Sequence, residues 1–356
     1  MARRRRVAVV PGDGIGQEVI PEGRLLLTLL DERRGLGLEL VDKDWGAERW
    51  LREKVGMPKG ALDELRSDYD AVYFGALGDP RIPDMAHGRE ILLGMRQGLD
   101  LYANVRPTQV LDDALCPLKG KGTKEVNFVV IRENTEDLYV SMGGRFKQGT
   151  PDEVAIDESV NTRLGVERVI RYAFEYAVTT GRQKVTMADK SNAVRFGGGL
   201  WQDTFRDVAA SFPMIKADHL FVDVAAMEMV RNPERFDVVV ANNLFGDILS
   251  DLGAGLVGSL GLAASANLHP GRIGLFEPVH GSAPDIAGLG KANPLAAFLT
   301  AAMMLDFLEL PEEARAIEQA VGDALREAVV TADLGGQHST AQVGEFVRAR
   351  TLSRLG

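Results

Sequence analysis

The sequence predicts an α/β fold with sheets covered by helices on both faces. Two observations predict it: short apolar, β-branched runs alternate with longer amphipathic stretches, and 356 residues suffice for roughly two domains. In chain order, residues 7–10 read as the first strand and a helix follows from about Glu18; residues 71–75, 128–132, 184–188 and 237–241 read as further strands. A Gly-, Asp- and Pro-rich break at 143–152 interrupts the rhythm and reads as a loop or protruding arm. Residues 295–308 are apolar on nearly all sides, which predicts a helix buried in a core or at a subunit interface, its Met pair serving packing. No repeat of fixed period is present.

The formal charge of -10 opposes a nucleic-acid partner, which would need a basic patch to overcome it. The one dense basic run, Arg3 to Arg6, reads as a solvated leader into the first strand. A single cysteine, Cys116, has no second Cys or His in its DDALCPLKG surroundings and reads as packing. No apolar stretch approaches the roughly 18 residues of a membrane span, so the expectation is a cytoplasmic protein with no membrane partner.

Four clusters carry candidate chemistry. Gly12-Asp13-Gly14-Ile15-Gly16 follows a strand and precedes a helix, but its spacing is not G-x-G-x-x-G, so it reads as a tight turn bordering a site. Arg96, Arg106 and Arg132 each read singly as surface ion pairs; together they are suited to bidentate capture of an acidic substrate's carboxylates. In NNLFGDILSD, Asp247 and Asp251 stand one helical turn apart, where like charges repel unless a cation sits between them; helix-start aspartates serving the dipole are the alternative. In EPVHGSAPDIAG, turn formers and small residues let backbone approach a ligand. There Asp285 is placed to accept from a ribose diol and repel a 2′-phosphate; the alternative is a structural turn.

Taken in order, PGDGIG, the LR and VRP arginines, RENTEDLY, DKSN, NLFGDILSD and FEPVHGSAPDIAG resemble the β-decarboxylating dehydrogenases over nearly the whole chain. That family includes isopropylmalate, isocitrate, homoisocitrate and tartrate/D-malate dehydrogenases. The resemblance implies an isopropylmalate dehydrogenase-like fold: two α/β domains, a cleft between them, and an arm at about 143–157 that clasps a second copy in a homodimer. Residues 1–103 with 261–356 would form the cofactor-side domain and 104–260 the dimerisation, metal and substrate domain. It also implies that Arg96, Arg106 and Arg132 hold substrate carboxylates and that Tyr139 and Lys190 are the acid/base pair. Lys190 and Asp223 would come from the neighbouring subunit, and Asp223, Asp247 and Asp251 would ligate Mg²⁺ or Mn²⁺. His280, Gly281, Ser282, Ala283, Pro284, Asp285, Ile286 and Asn293 would bind the adenosine half of the cofactor. Asp285 followed by Ile286, where NADP-using relatives carry Lys and Tyr, points to NAD.

The resemblance places substrate choice just before Arg96, in His87-Gly88-Arg89-Glu90-Ile91-Leu92-Leu93. Isocitrate enzymes carry Ser and Asn where this chain has Glu90 and Leu92, and homoisocitrate enzymes use an Arg at the place of Leu93, so both are disfavoured. Leu92 and Leu93 match isopropylmalate enzymes, but Arg89 stands where those carry Glu. YFGALGDPRIPD and YVSMGGRFKQGT resemble the tartrate/D-malate branch, whereas the residues 224–227, VAAM, resemble the isopropylmalate or homoisocitrate branch. D-malate or tartrate ranks first and 3-isopropylmalate second. A non-catalytic regulatory subunit and a nucleotide-binding protein without redox activity are the other classes, and neither explains why Tyr139, Lys190 and the aspartates are all present.

Overall fold

The computed structural model describes residues 4–356. Arg3, the first of the basic run, lies outside them; Arg4 pairs with Glu39, and the Arg5 Nε donates to the Leu308 carbonyl at 2.8 Å. The strands in chain order are β1 (Arg5–Gly12), β2 (Leu38–Asp42), β3 (Ala71–Ala76), β4 (Ala103–Gln109), β5 (Asn127–Glu133), β6 (Gly143–Phe146), β7 (Val154–Asp157), β8 (Lys184–Asp189), β9 (Lys216–Phe221), β10 (Val238–Ala241), β11 (Ala264–His269) and β12 (Ile273–Pro278).

The chain divides into two compact units. The first comprises residues 1–101, 109–123 and 254–356, and the second 102–108 and 124–253. Both chain ends therefore belong to the first unit, and a short return at 109–123, which boundaries near 104 and 260 do not anticipate, joins it as well.

In the first unit the strand order is β2-β1-β3-β12-β11, parallel except for the antiparallel β11 and β12 pair. All six residues of β3 are buried, as a parallel strand covered on both faces requires. The helix Gly16–Arg34 buries Val19, Ile20, Leu26, Leu27 and Leu30 along one side and ends on Gly35, whose left-handed backbone (φ 64°) lets its N–H reach the Asp31 carbonyl. The helix Leu295–Phe307 is buried on almost every side, and the Tyr73 hydroxyl donates to its Ala297 carbonyl at 2.8 Å. Its all-round apolarity is thus explained by a core position within this unit.

In the second unit the order is β4-β5-β10-β8-β9, with β5, β10, β8 and β9 parallel. The four residues of β10 are buried, whereas β9, at the edge, is half-exposed. β6 and β7 form a separate two-stranded hairpin, Gly143 opposite Asp157, that leaves Phe146, Val154 and Ile156 exposed. A lone hairpin is marginal in water, so a covering surface would stabilise it. Among the described residues no helix is long and apolar enough to cross a membrane.

Candidate active site

The chemistry-bearing side chains of the second unit gather at the carboxyl ends of its parallel strands, where open α/β sheets place ligands. Arg132 ends β5 beside Ala241 of β10, and the helix Asn243–Leu256 follows β10 directly. Two side chains satisfy that helix's first amides: the Asn242 carbonyl Oδ1 accepts from Phe245 N and Asp137 Oδ2 from Leu244 N, each at 2.9 Å. The helix is thereby fixed in position, and Asp247 and Asp251 project from one of its faces.

Both aspartates meet arginine. Arg132, 1% exposed, donates through Nε to Asn243 Oδ1 at 2.9 Å and through Nη1 to Asp247. Arg106 Nη1 donates to Ser250 Oγ and to Asp251 Oδ1, each at 2.9 Å, and lies 3.3 Å from Asp247. The Tyr139 hydroxyl donates to Asp247 Oδ2 at 2.7 Å, under the Arg132 guanidinium 5.0 Å from its ring centre. Tyr139 sits in the short turn Leu138–Val140, entered through Asp137, whose φ of 66° is costly for a residue with a Cβ. Asp137 is held there by the Val160 carbonyl, by Ser159 and by Leu244 N.

Gly246 is required by this packing. A Cβ there would lie 2.7 Å from Cβ and Cγ of Arg132. We expect Gly246→Ala to destabilise the second unit by about 1–3 kcal/mol through overpacking, measurable by urea unfolding.

Burial pushes the Asp251 carboxyl up from its ordinary pKa; Arg106 opposes that shift and the neighbouring Asp247 adds to it. Asp247 accepts from Arg132 and from the Tyr139 hydroxyl, and Arg106 lies beside it. Two neighbouring carboxylates, one helical turn apart and beside arginines, are of the donor type that a hard divalent cation prefers. Among the described residues no group of three His, Cys, Asp or Glu side chains is placed to hold a metal ion.

Lys190 and Asp223 form a second cluster. Lys190 follows β8 and Asp223 opens the helix Val222–Arg231 after β9; Nζ donates to Oδ1 at 2.6 Å, and that bond holds the Asp223 carboxyl below the usual carboxylate range. The preceding residue, Asp189, is anchored by Gln202 Nε2 and by His219 Nε2, each at 2.8 Å. Tyr139, Arg106, Arg132, Asp247 and Asp251 are thus brought together, and Lys190 and Asp223 are brought to each other.

In the first unit, Arg96 is 7% exposed and its Nη2 donates to Glu277 Oε1 at 2.9 Å, a carboxylate also held by Asn267. Arg96 Nε and Arg106 Nε are buried N–H groups with no hydrogen-bond partner, which leaves each arginine a donor for a carboxylate. Glu277, Asp137, Ser250 and Asn243 had escaped sequence reasoning, because each takes its role from a contact distant in sequence. Only NN before LFGD, an amide at a helix start, offered a local signal.

The segment after β12 is a built loop. Ile15 N donates to the Ser282 carbonyl at 2.9 Å, Gly288 N and Gly290 N donate to the Glu18 carboxylate at 2.5 and 2.8 Å, and Asn293 bridges Leu295 N and Asp333. Ala283 has φ 38° and Asp285 is exposed. Burial holds the His280 imidazole below its ordinary pKa, and its Nδ1 lies 3.0 Å from the Gly281 carbonyl. That carbonyl only accepts, so Nδ1 carries the proton and the solvent-shielded Nε2, which has no partner, is left an acceptor.

Arg89 is exposed, Leu92 packs against the core of the first unit, and Leu93 is half-buried. Glu90, beside them, is turned away: its Oε1 accepts from Gly56 N at 2.9 Å and Met57 N at 3.3 Å.

The chain is thus an α/β protein of two units with arginine-paired carboxylates at strand ends. Residues 6–347 match the isocitrate/isopropylmalate dehydrogenase family, and the chain belongs to it. It is 45% identical over 351 residues to 3-isopropylmalate dehydrogenase of Thermobifida fusca, covering 98% of each chain. It is 43% identical over 355 residues to the decarboxylating D-malate dehydrogenase of Escherichia coli, again covering 98% of each. The crystal structure of isocitrate dehydrogenase from Methylococcus capsulatus superposes with a TM-score of 0.86 at 38% identity, over 98% of this chain and 99% of that one.

Proposed function

We propose that the protein is an NAD-dependent oxidative decarboxylase of a (2R)-2-hydroxy diacid, with D-malate or tartrate first and 3-isopropylmalate second. The observation that carries the reading is the convergence of Arg106, Arg132 and Tyr139 on Asp247 and Asp251. Family membership supports the decarboxylating dehydrogenase chemistry, and relatives acting on D-malate and on 3-isopropylmalate are similar to nearly the same degree.

In this reading Arg106 and Arg132, with Arg96, bind the substrate carboxylates as bidentate donors. Asp247 and Asp251 hold Mg²⁺ or Mn²⁺, with Asp223 supplied by a second copy in a homodimer; the exposed apolar residues of the 143–157 hairpin favour such a partner. What the bound groups supply is Lewis acidity at the 2-hydroxyl and at the enolate oxygen, and a hydride acceptor. Lys190 Nζ accepts the hydroxyl proton as C2 is oxidised. After CO₂ leaves, the Tyr139 hydroxyl returns a proton to C3, and Arg132 over its ring steadies the phenolate that forms. Leu93 is the apolar surface that keeps 3-isopropylmalate in contention; Leu92 is engaged with the core.

The test is NADH formation with Mn²⁺ or Mg²⁺ across D-malate, tartrate, 3-isopropylmalate, isocitrate and homoisocitrate. Fastest turnover on D-malate or tartrate supports the first reading, preference for 3-isopropylmalate the second, and silence on all five with NAD and NADP rejects both. For the cofactor, loop residues His280 to Ile286 and Asn293 cradle the adenosine. Because Asp285 repels a 2′-phosphate, the pair Asp285→Lys and Ile286→Tyr should shift the NAD to NADP ratio of kcat/KM by at least about tenfold toward NADP.

A further inference from the structure

The turn Gly12-Asp13-Gly14-Ile15-Gly16 has no part in the chemistry just proposed, yet its side chains and backbone are unusually committed. Asp13 is 6% exposed; its Oδ1 accepts from Ala47 N at 2.6 Å, and its Oδ2 accepts from Gly78 N at 2.9 Å and lies 2.9 Å from His87 Nε2. His87 is fully buried and stands at the head of the helical segment 86–98. The middle of that segment, Arg89–Leu93, is a π-helix, an intrinsically poor arrangement that persists where its surroundings hold it. Those surroundings are on view. His87 is tied to Asp13 ahead of the π-turn, Glu90 is tied to the Gly56 and Met57 amides within it, and Ile91 is fully buried. Of the residues between His87 and Arg96, Arg89 is exposed, its backbone N–H donating to the Met85 carbonyl and its guanidinium meeting no carboxylate among the described residues, and Leu93 is half-buried. The same turn also reaches the cofactor loop, since Ile15 N donates to the Ser282 carbonyl.

We infer that Asp13 and His87 are positioning residues: their hydrogen bond fixes the π-helical segment relative to the 280–286 loop, leaving Arg89 and Leu93 as the groups that choose among diacids. The part of this inference concerning diacids rests on the proposed function; the tether itself does not. Glu90 is accordingly a structural anchor, although the family resemblance places its position at the substrate.

The experiment compares wild type with His87→Leu, which removes the donor, and His87→Gln, which keeps a nitrogen donor at Nε2. Two readouts are taken: amide hydrogen exchange over residues 86–93, and the kcat/KM ratio of D-malate to 3-isopropylmalate. We expect H87L to lose about tenfold in protection, as loss of one charge-assisted hydrogen bond implies, and to move the substrate ratio by a similar factor through KM with kcat little changed. H87Q should retain both. Wild-type protection and ratio in H87L, or an H87Q as impaired as H87L, would overturn the inference. Should H87L fail to fold, His87→Asn, whose amide is too short to reach Asp13, is read in the same way. A wild-type protein inert toward every diacid would remove the proposed function, and hydrogen exchange would still decide the tether.

Discussion

Lys190→Met is expected to abolish turnover, lowering kcat by about 10²- to 10⁴-fold, the range in which a positioned general base contributes. KM for the diacid should change far less, because the carboxylates are assigned to arginines. Methionine keeps the length and much of the volume of lysine but can neither accept a proton nor donate to Asp223, to which Nζ is bound at 2.6 Å. The Asp223 side chain is exposed in this chain, so its release from Lys190 should leave the fold intact, and an unchanged melting curve will separate lost chemistry from lost structure. The placement of Lys190 and Asp223 in a cluster of their own gives a second way to read the variant. If these residues serve the site of a second copy, mixing Lys190→Met with Tyr139→Phe subunits will restore part of the activity in heterodimers that carry one intact site. Wild-type kcat in K190M would remove Lys190 from the mechanism.

The elements most legible in the sequence were those with continuous apolar runs. β3, β5 and β10 are buried on both faces, so their composition alone marks them. β4 and β9 passed unmarked because ANVRPTQ and KADHLF mix charged and apolar residues: one strand carries Arg106, and the other lies at an edge. The hairpin of β6 and β7 reads locally as a Gly-rich loop, since no core patterns it. Among the site residues, Asp247 and Asp251 were legible by helical spacing, and their shared contact with Arg106 accords with it.

Other features depend on contacts that no local pattern encodes. The partner of Arg96 is Glu277, 181 residues away, and that of Asp13 is His87, 74 residues away. A π-turn at residues 89–93 has no local pattern to mark it, because the contacts that hold it, His87 to Asp13 and Glu90 to Gly56 and Met57, are distant in sequence. Leu92 shows the consequence. Beside Leu93 in sequence it reads as half of an apolar pair, while in the fold it belongs with Met57, Ile91 and Met95 in the core.

Asp247→Asn should have the other large effect, and two observables distinguish its causes. Asparagine offers one acceptor oxygen and an NH₂ in place of two acceptors, so either Arg132 or the Tyr139 hydroxyl will face a donor instead of a carboxylate. Arg132 is 1% exposed and loses its ion pair, whereas Asp247 itself is 29% exposed, so solvent moderates the cost to about 1–2 kcal/mol, well short of a fully buried pair. That loss is measurable by chemical unfolding without any metal. If this carboxylate holds a cation as proposed, activity should fall much further, by about a thousandfold, since several kcal/mol of charge stabilisation in the transition state would be lost with it. Ligand-linked stability supplies the second observable. If Asp247 and Asp251 hold Mn²⁺, adding it at about a hundred times its Kd should stabilise the wild type by about 2.7 kcal/mol and leave Asp247→Asn nearly unchanged. Equal stabilisation of both proteins would place the cation elsewhere and return Asp247 to the role of an anchor for Arg132 and Tyr139. The mutual repulsion of two carboxylates one helical turn apart would then be offset by arginine alone, and Asp251→Asn would stabilise the metal-free protein and leave its turnover intact.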